Sequence, residues 1–109
     1  METTSKKESF HEIIQGNKPV LVDFFAEWCG PCKLMKPVLE ELHQKMGDKV
    51  RILKIDVDRA PVVSSTYNIH GVPTLMLFQN GHTLWRQAGV VQAKQLEEII
   101  TKYLGTEKT

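Results

Sequence analysis

The stretch Val20-Leu21-Val22-Asp23-Phe24-Phe25-Ala26-Glu27-Trp28-Cys29-Gly30-Pro31-Cys32-Lys33 decides how this chain is read. Val20 to Ala26 is apolar at alternate and intervening positions alike. That pattern belongs to a central strand covered by helices on both sides. From Lys33 onward the pattern is helical. At the junction stand the chain's only two cysteines, spaced C-x-x-C. A dithiol placed there sets its first sulfur over the unpaired backbone N–H groups of a helix N-terminus, where negative charge is stabilised. Thiolate is the reactive form of cysteine, so the placement makes a nucleophile and points to thiol–disulfide exchange.

Working outward, Phe10, Ile13 and Ile14 suggest a short amphipathic helix beginning after Ser5 and stopped by Gly16-Asn17 and Pro19. The helix after Pro31 carries Leu34, Met35, Val38, Leu39, Leu42 and Met46 at helical spacing and ends near Gly47. Pro37 lies inside it and is expected to kink it. Val50 to Val57 reads as a second strand, and Asp58 as the cap of a helix containing Pro61 to Tyr67. Thr74 to Gln79 and Thr83 to Ala88 are strands joined at Asn80-Gly81, a hairpin signal because a type I′ turn needs positive φ at both positions. The last helix, about Gln92 to Leu104, places Leu96, Ile99, Ile100, Tyr103 and Leu104 on one face. This order implies parallel strands through right-handed crossovers, followed by an antiparallel hairpin. No strand is legible before Phe10.

The chain has 109 residues, 41% hydrophobic and 25% charged, as expected of one globular domain spanning 1–109. Residues 1–5 and 105–109 read as short polar tails that fray. Net charge is +1, so no basic field argues for nucleic acid or an anionic membrane. No stretch approaches the roughly 20 apolar residues of a membrane span. The polar start, Met1 to Glu8, lacks the apolar core of a secretory signal. Two cysteines cannot make the disulfide framework of a small secreted domain, so a reducing, cytoplasmic compartment is expected.

Beyond Asp23-Phe24-Phe25-Ala26-Glu27-Trp28-Cys29-Gly30-Pro31-Cys32-Lys33, the chain carries Pro37, Lys54, Gly71-Val72-Pro73-Thr74, Asn80-Gly81 and Gly89. In order and spacing these resemble the thioredoxin family over essentially the whole chain. The resemblance implies an α/β fold with a central mixed sheet of four or five strands flanked by four helices. It implies a general protein-disulfide reductant, an electron carrier that cycles between a Cys29/Cys32 dithiol and its disulfide without a separate cofactor. It also implies protein disulfides as substrates, a flavin-dependent, NADPH-using thioredoxin reductase as the recharging partner, and a monomer. Three positions depart from the common pattern. Phe25 stands where many bacterial members have Trp, Gln92 where a Ser often caps the last helix, and Trp85 is unusual on the hairpin.

Cys29, just before the helix, is the expected attacking thiol, with an exposed sulfur; a buried structural cysteine is the alternative. Cys32, one turn inside, is expected to be less exposed and to resolve the mixed disulfide formed by Cys29. A closed zinc site needs four N or S ligands. Beyond the cysteines only His11, His43, His70 and His82 are available, and no pair has a ligand spacing, so no metal is expected. Gly30 lets a substrate backbone approach closely, and Pro31 stiffens the first helical turn. Neither adds a side-chain donor to a thiolate, which resembles the reducing branch of the family.

Asp23 lies mid-strand among apolar residues, where an unpaired carboxylate is costly. Its expected place is beneath Cys32, taking that thiol's proton directly or through water, with Lys54 on the adjacent strand as charge partner. A hydrogen-bonded core Asp and a solvated strand Lys are the alternatives. The resemblance implies a cis peptide before Pro73, packed against the dithiol. Trp28, Gly30, Pro31, Val57, Val72, Pro73, Gly89 and Val90 then form a small-residue apolar patch. There an extended substrate pairs its backbone with residue 72. Core packing remains an alternative for Val57 and Val90. The competing reading of function is a docking subunit of a larger complex, in which the patch binds and the thiols are incidental.

Overall fold

The computed structural model describes residues 2–3 and 9–107. Its strands are β1 (Glu2–Thr3), β2 (Val20–Phe25), β3 (Arg51–Asp56), β4 (Thr74–Gln79) and β5 (His82–Ala88). Its helices are α1 (Phe10–Ile14), α2 (Met35–Met46), α3 (Pro61–Thr66) and α4 (Ala93–Glu107). The strands form one mixed sheet of order β1-β3-β2-β4-β5, so the five-strand form of the expected architecture is the one adopted. β2 runs parallel to β3 and antiparallel to β4, and β5 returns antiparallel along β4.

Alternation along the strands divides the core. Leu21, Ile52, Leu75 and Leu77 meet Met35, Leu39 and Leu42 of α2 and Leu96 and Ile100 of α4. Val22, Phe24, Leu53, Met76 and Phe78 meet Phe10, Ile13 and Ile14 of α1, with Val63 of α3 and Tyr67 at its C-cap packed alongside. Phe10, Tyr67 and Phe78 pack edge to face with ring centroids 5.2–5.6 Å apart. Asp23 has the parity of Leu21, so it belongs to the face covered by α2.

Local chemistry sets most boundaries. Ser9 caps α1 in a reciprocal box with Glu12, whose carboxyl is held below its usual pKa first by the Ser9 backbone N–H. The β4–β5 turn has positive φ at both Asn80 (51°) and Gly81 (80°), as the type I′ reading requires. Gly81 N–H donates to Ile14 O at 2.8 Å and Asn80 N–H to Gly16 O at 2.9 Å, docking the hairpin on the end of α1.

Three expectations change, and one irregularity was not anticipated. The helix expected from Pro31 with a kink at Pro37 is a 3-10 turn, Pro31–Leu34, joined to α2 at Met35. Pro37 therefore sits in the first turn of α2, where a missing N–H matters least. Asp58 does not cap α3. Ala60 holds the N-cap position, Pro61 starts the helix, and the Asp58 carboxylate is engaged elsewhere. Within the segments read as tails, Glu2–Thr3 pair with Leu53 and Lys54 as β1, and α4 runs to Glu107. Residues 1, 4, 5, 108 and 109 of those tails lie outside the described residues. Finally, β5 is bulged opposite Leu77/Phe78, with Leu77 facing Trp85 and Phe78 facing Thr83, so Leu84 is the extra residue.

Candidate redox site

β2 ends at Phe25, and the chain turns through Ala26 to Gly30 before the 3-10 turn begins. Cys29 N–H donates to Ala26 O at 3.2 Å, and Lys33 N–H donates to Gly30 O at 3.1 Å. Gly30 provides no side-chain cap, Pro31 has no N–H and Lys33 N–H is taken by Gly30 O, so the Cys32 N–H is the donor left for the sulfur. Cys32 N–H points at Cys29 Sγ across 3.2 Å. Cys29 and Cys32 form a disulfide with their Cα atoms 5.4 Å apart.

The two cysteines are almost equally buried, at 4% exposure for Cys29 and 7% for Cys32. The expectation of an exposed Cys29 and a more hidden Cys32 therefore does not hold in the disulfide form. Cys29 is covered by the loop before β4: its Sγ lies 3.5 Å from Val72 O, and Val72 and Val57 pack against the pair. The Val72–Pro73 peptide is cis. Gly89, with φ of +93°, donates its N–H to Pro73 O at 2.8 Å, which ties the end of β5 to this loop.

Around the disulfide, Gly30, Pro31, Gly71 and Gly89 are exposed, and Trp28 is 73% exposed. Trp28 is nevertheless fixed, because its Nε1–H donates to Asp58 Oδ2 at 2.8 Å. Asp58 N–H in turn donates to Asp56 Oδ1 at 3.0 Å. Val90 is half-buried and packs against the α2/α4 core instead of the cysteines.

Asp23 is completely buried, and neither carboxylate oxygen has a hydrogen-bond partner. It pairs in register with Lys54 on β3 and Leu75 on β4. Burial pushes its pKa from 3.8 up to about 6, with the Lys54 ammonium pulling partly the other way. Lys54 is half-buried, its Nζ 4.8 Å from the centre of the Phe25 ring. A pocket of about 270 Å³ opens beside Cys32, lined by the apolar Phe25 and Ala26 and by the charged Glu27, Lys33, Lys36 and Lys54. Among the described residues no cluster of His, Cys, Asp and Glu has the form of a metal site.

The structure thus brings Cys29, Cys32, Val72, Pro73, Trp28, Gly30, Pro31 and Gly89 to one end of the sheet. It puts Asp23 and Lys54 on the α2 face behind them. The sequence reading missed Lys33 and Lys36 as parts of this site, although Lys36 lies at i+4 from Cys32, the spacing of one helical face. Asp58 carried no signal for its bond to Trp28, which joins loops thirty residues apart.

A family model described as Thioredoxin matches residues 2–102. A thioredoxin of Alicyclobacillus acidocaldarius is 47% identical over 89 residues, 82% of this chain and 85% of that protein. One from Rickettsia typhi is 41% identical over 92 residues, 84% of this chain and 88% of its own length. Among solved structures, Malassezia sympodialis thioredoxin superposes with a TM-score of 0.82 at 34% identity, covering 93% of this chain and 88% of that one. Plasmodium falciparum thioredoxin gives 0.76 at 39% identity, covering 86% and 90%.

Proposed function

The chain belongs to the thioredoxin family of thiol–disulfide oxidoreductases, and we propose that Cys29 attacks the substrate disulfide while Cys32 resolves the intermediate. The observation carrying this division is the Cys32 N–H aimed at Cys29 Sγ across 3.2 Å. That donor is in place before any charge develops, so a Cys29 thiolate gains a charge-assisted hydrogen bond with no rearrangement.

The reaction balances within the chain's own sulfurs. Cys29 thiolate attacks one sulfur of a protein disulfide, forming a mixed disulfide and releasing the other sulfur as a thiolate that takes a proton. Cys32, deprotonated, then attacks Cys29 Sγ. The substrate's second sulfur leaves and is protonated, and two electrons have passed from the dithiol to the substrate. Asp23, on the α2 face and without a partner for either oxygen, is the proposed acceptor of the Cys32 proton. A carboxyl with a pKa of about 6 is a better match to a thiol at neutral pH than an ordinary Asp. Lys54 is the proposed charge partner that limits how far burial raises that pKa.

Trp28, Gly30, Pro31, Val72, Pro73 and Gly89 form the proposed substrate surface, and Val90, packed on the α2/α4 core, is left out of it. The exposed members flank the disulfide, and Val72 offers backbone polar groups to an extended segment. The chain acts as one domain, a monomer of the cytoplasm, recharged by an NADPH-dependent thioredoxin reductase; among the described residues no helix is long and apolar enough to cross a membrane. The docking-subunit alternative has no observation in its favour.

The test is NADPH oxidation coupled through a thioredoxin reductase to reduction of insulin disulfides. Turnover should depend on the chain and vanish in Cys29→Ser, and Cys32→Ser should trap mixed disulfides. Insulin reduction that persists without Cys29 would end the assignment of the attacking sulfur. Reduction driven by dithiothreitol but not by the reductase would remove only the proposed partner.

A further inference from the structure

Charge around the disulfide is lopsided. The groups flanking Cys29, namely Trp28, Gly30, Pro31 and Val72, carry none. The pocket beside Cys32 carries three ammonium groups, Lys33, Lys36 and Lys54, against one carboxylate, Glu27. Lys54 is occupied, lying over Phe25 and facing Asp23 across the sheet. Lys33 and Lys36 are exposed, and among the described residues neither forms an ion pair. Two unpaired cations therefore line a cavity whose other residues are the apolar Phe25 and Ala26, Cys32, Lys54 and the single acid Glu27.

We propose that this pocket is a subsite for a glutamate or aspartate side chain of the protein whose disulfide is being reduced. The inference rests on the dithiol reading above and narrows the substrate class it accepts. A volume of about 270 Å³ admits a side chain but no folded element. Methylene groups of a glutamate can lie against Phe25 and Ala26 while its carboxylate reaches Lys33 and Lys36, whose long stems allow the ammonium groups to follow it. An extended chain advances about 3.3–3.6 Å per residue, so an acidic residue a few positions from the reacting cysteine reaches a pocket that Cys32 itself lines. A glutamine there finds two donors but no attraction to their charge. A lysine is repelled.

Partly exposed ammonium–carboxylate pairs each change an affinity by a small factor, so two give a preference of about three- to tenfold. The experiment uses the pre-reduced full chain and two disulfide-bonded peptides identical except for Glu or Gln on either side of the cysteine. At about 20 mM salt the Glu peptide should be reduced about three- to tenfold faster at limiting concentration. The preference should disappear at about 0.5 M salt, where the screening length is only a few ångströms. It should also disappear in Lys33→Gln/Lys36→Gln. A double variant of equal net charge, Lys18→Gln/Lys49→Gln, should keep it, which separates the pocket from the field of the whole protein. Equal rates for the two peptides, or a preference surviving in Lys33→Gln/Lys36→Gln, would overturn the subsite. If added acetate abolishes a Lys33/Lys36-dependent effect that Glu and Gln peptides share, the pocket binds free carboxylates and not the substrate's own. Failure of every form to reduce either peptide would instead count against the dithiol reading itself.

Discussion

β2 and β4 lie side by side at the centre of the sheet and both bury polar side chains, yet they treat them differently. On β4, Thr74 Oγ1–H donates to Gly71 O at 2.7 Å and Gln79 Nε2–H donates to Asn17 O at 2.6 Å. Each ties the strand to a neighbouring loop. On β2, Asp23 is more deeply buried than either, and both of its oxygens are without a partner. An orphaned buried polar group works against folding, whereas a satisfied one is close to neutral or mildly favourable. The β4 side chains thus explain themselves as structure. Asp23 does not, and the proposed transfer of the Cys32 proton to it is a reason of a different kind for keeping it.

The difference is tested most severely by deleting the orphan. Asp23 holds its proton to about pH 6 in the folded chain but only to about 4 when unfolded. Its stability penalty therefore grows as pH climbs from about 4 to about 6 and is constant above that. Asp23→Ala should raise the stability of the oxidised protein at pH 8 by on the order of 1–3 kcal/mol, with the cavity taking back part of the gain. At about pH 3, below both values, the carboxyl is protonated in folded and unfolded chains alike, so the pH-dependent gain should vanish and the cavity cost remain, set only against burial of a neutral carboxyl. Denaturant midpoints at the two pH values decide this, and a variant less stable at both would make Asp23 an ordinary core residue.

The β4 side chains should give a smaller effect of opposite sign. Gln79→Leu and Thr74→Val each remove a hydrogen bond to a loop carbonyl and should cost about 1 kcal/mol. No titrating group is involved, so the loss should be flat from pH 5 to 9. A stabilised Gln79→Leu would erase the contrast between the strands.

The smallest change sharpens the comparison further. Lys54 pulls the Asp23 pKa down against burial. Lys54→Met should let the Asp23 pKa rise above about 6, so that its stability penalty still sets in near about pH 4 but keeps growing to a higher pH and levels off at a larger value. Carboxyl titration followed by NMR reads the shift directly; an unmoved Asp23 would remove Lys54 from the pair.

How much of this was legible beforehand follows the same division between local and distant chemistry. β2, the Asn80-Gly81 hairpin and α4 are written in short-range patterns: a two-sided apolar run, a turn needing positive φ, and a helical stripe. Asp23 stood out because a carboxylate in such a run contradicts its surroundings. β1 was invisible because two residues, Glu2 and Thr3, carry no alternation; it is held by pairing with Leu53 and Lys54 far along the chain. Asp58 looked like a cap because capping is a local rule, and its actual partner, Trp28, is thirty residues away. The near-equal burial of Cys29 and Cys32 depends on Val72 crossing over the first sulfur, a contact that no spacing within the C-x-x-C reports.

The central claim is that the β2 carboxylate is kept without a partner in order to take the proton of Cys32. It is tested by single-turnover reduction of a disulfide-bonded peptide from pH 5 to 9, following release of the second substrate thiol. With Asp23 the rate should rise as the carboxyl ionises, around pH 6. With Asp23→Ala it should be slower at neutral pH and recover only in alkaline solution, where thiols in general ionise without a base. Superimposable profiles for the two proteins would contradict the claim and leave Asp23 with no part in the chemistry.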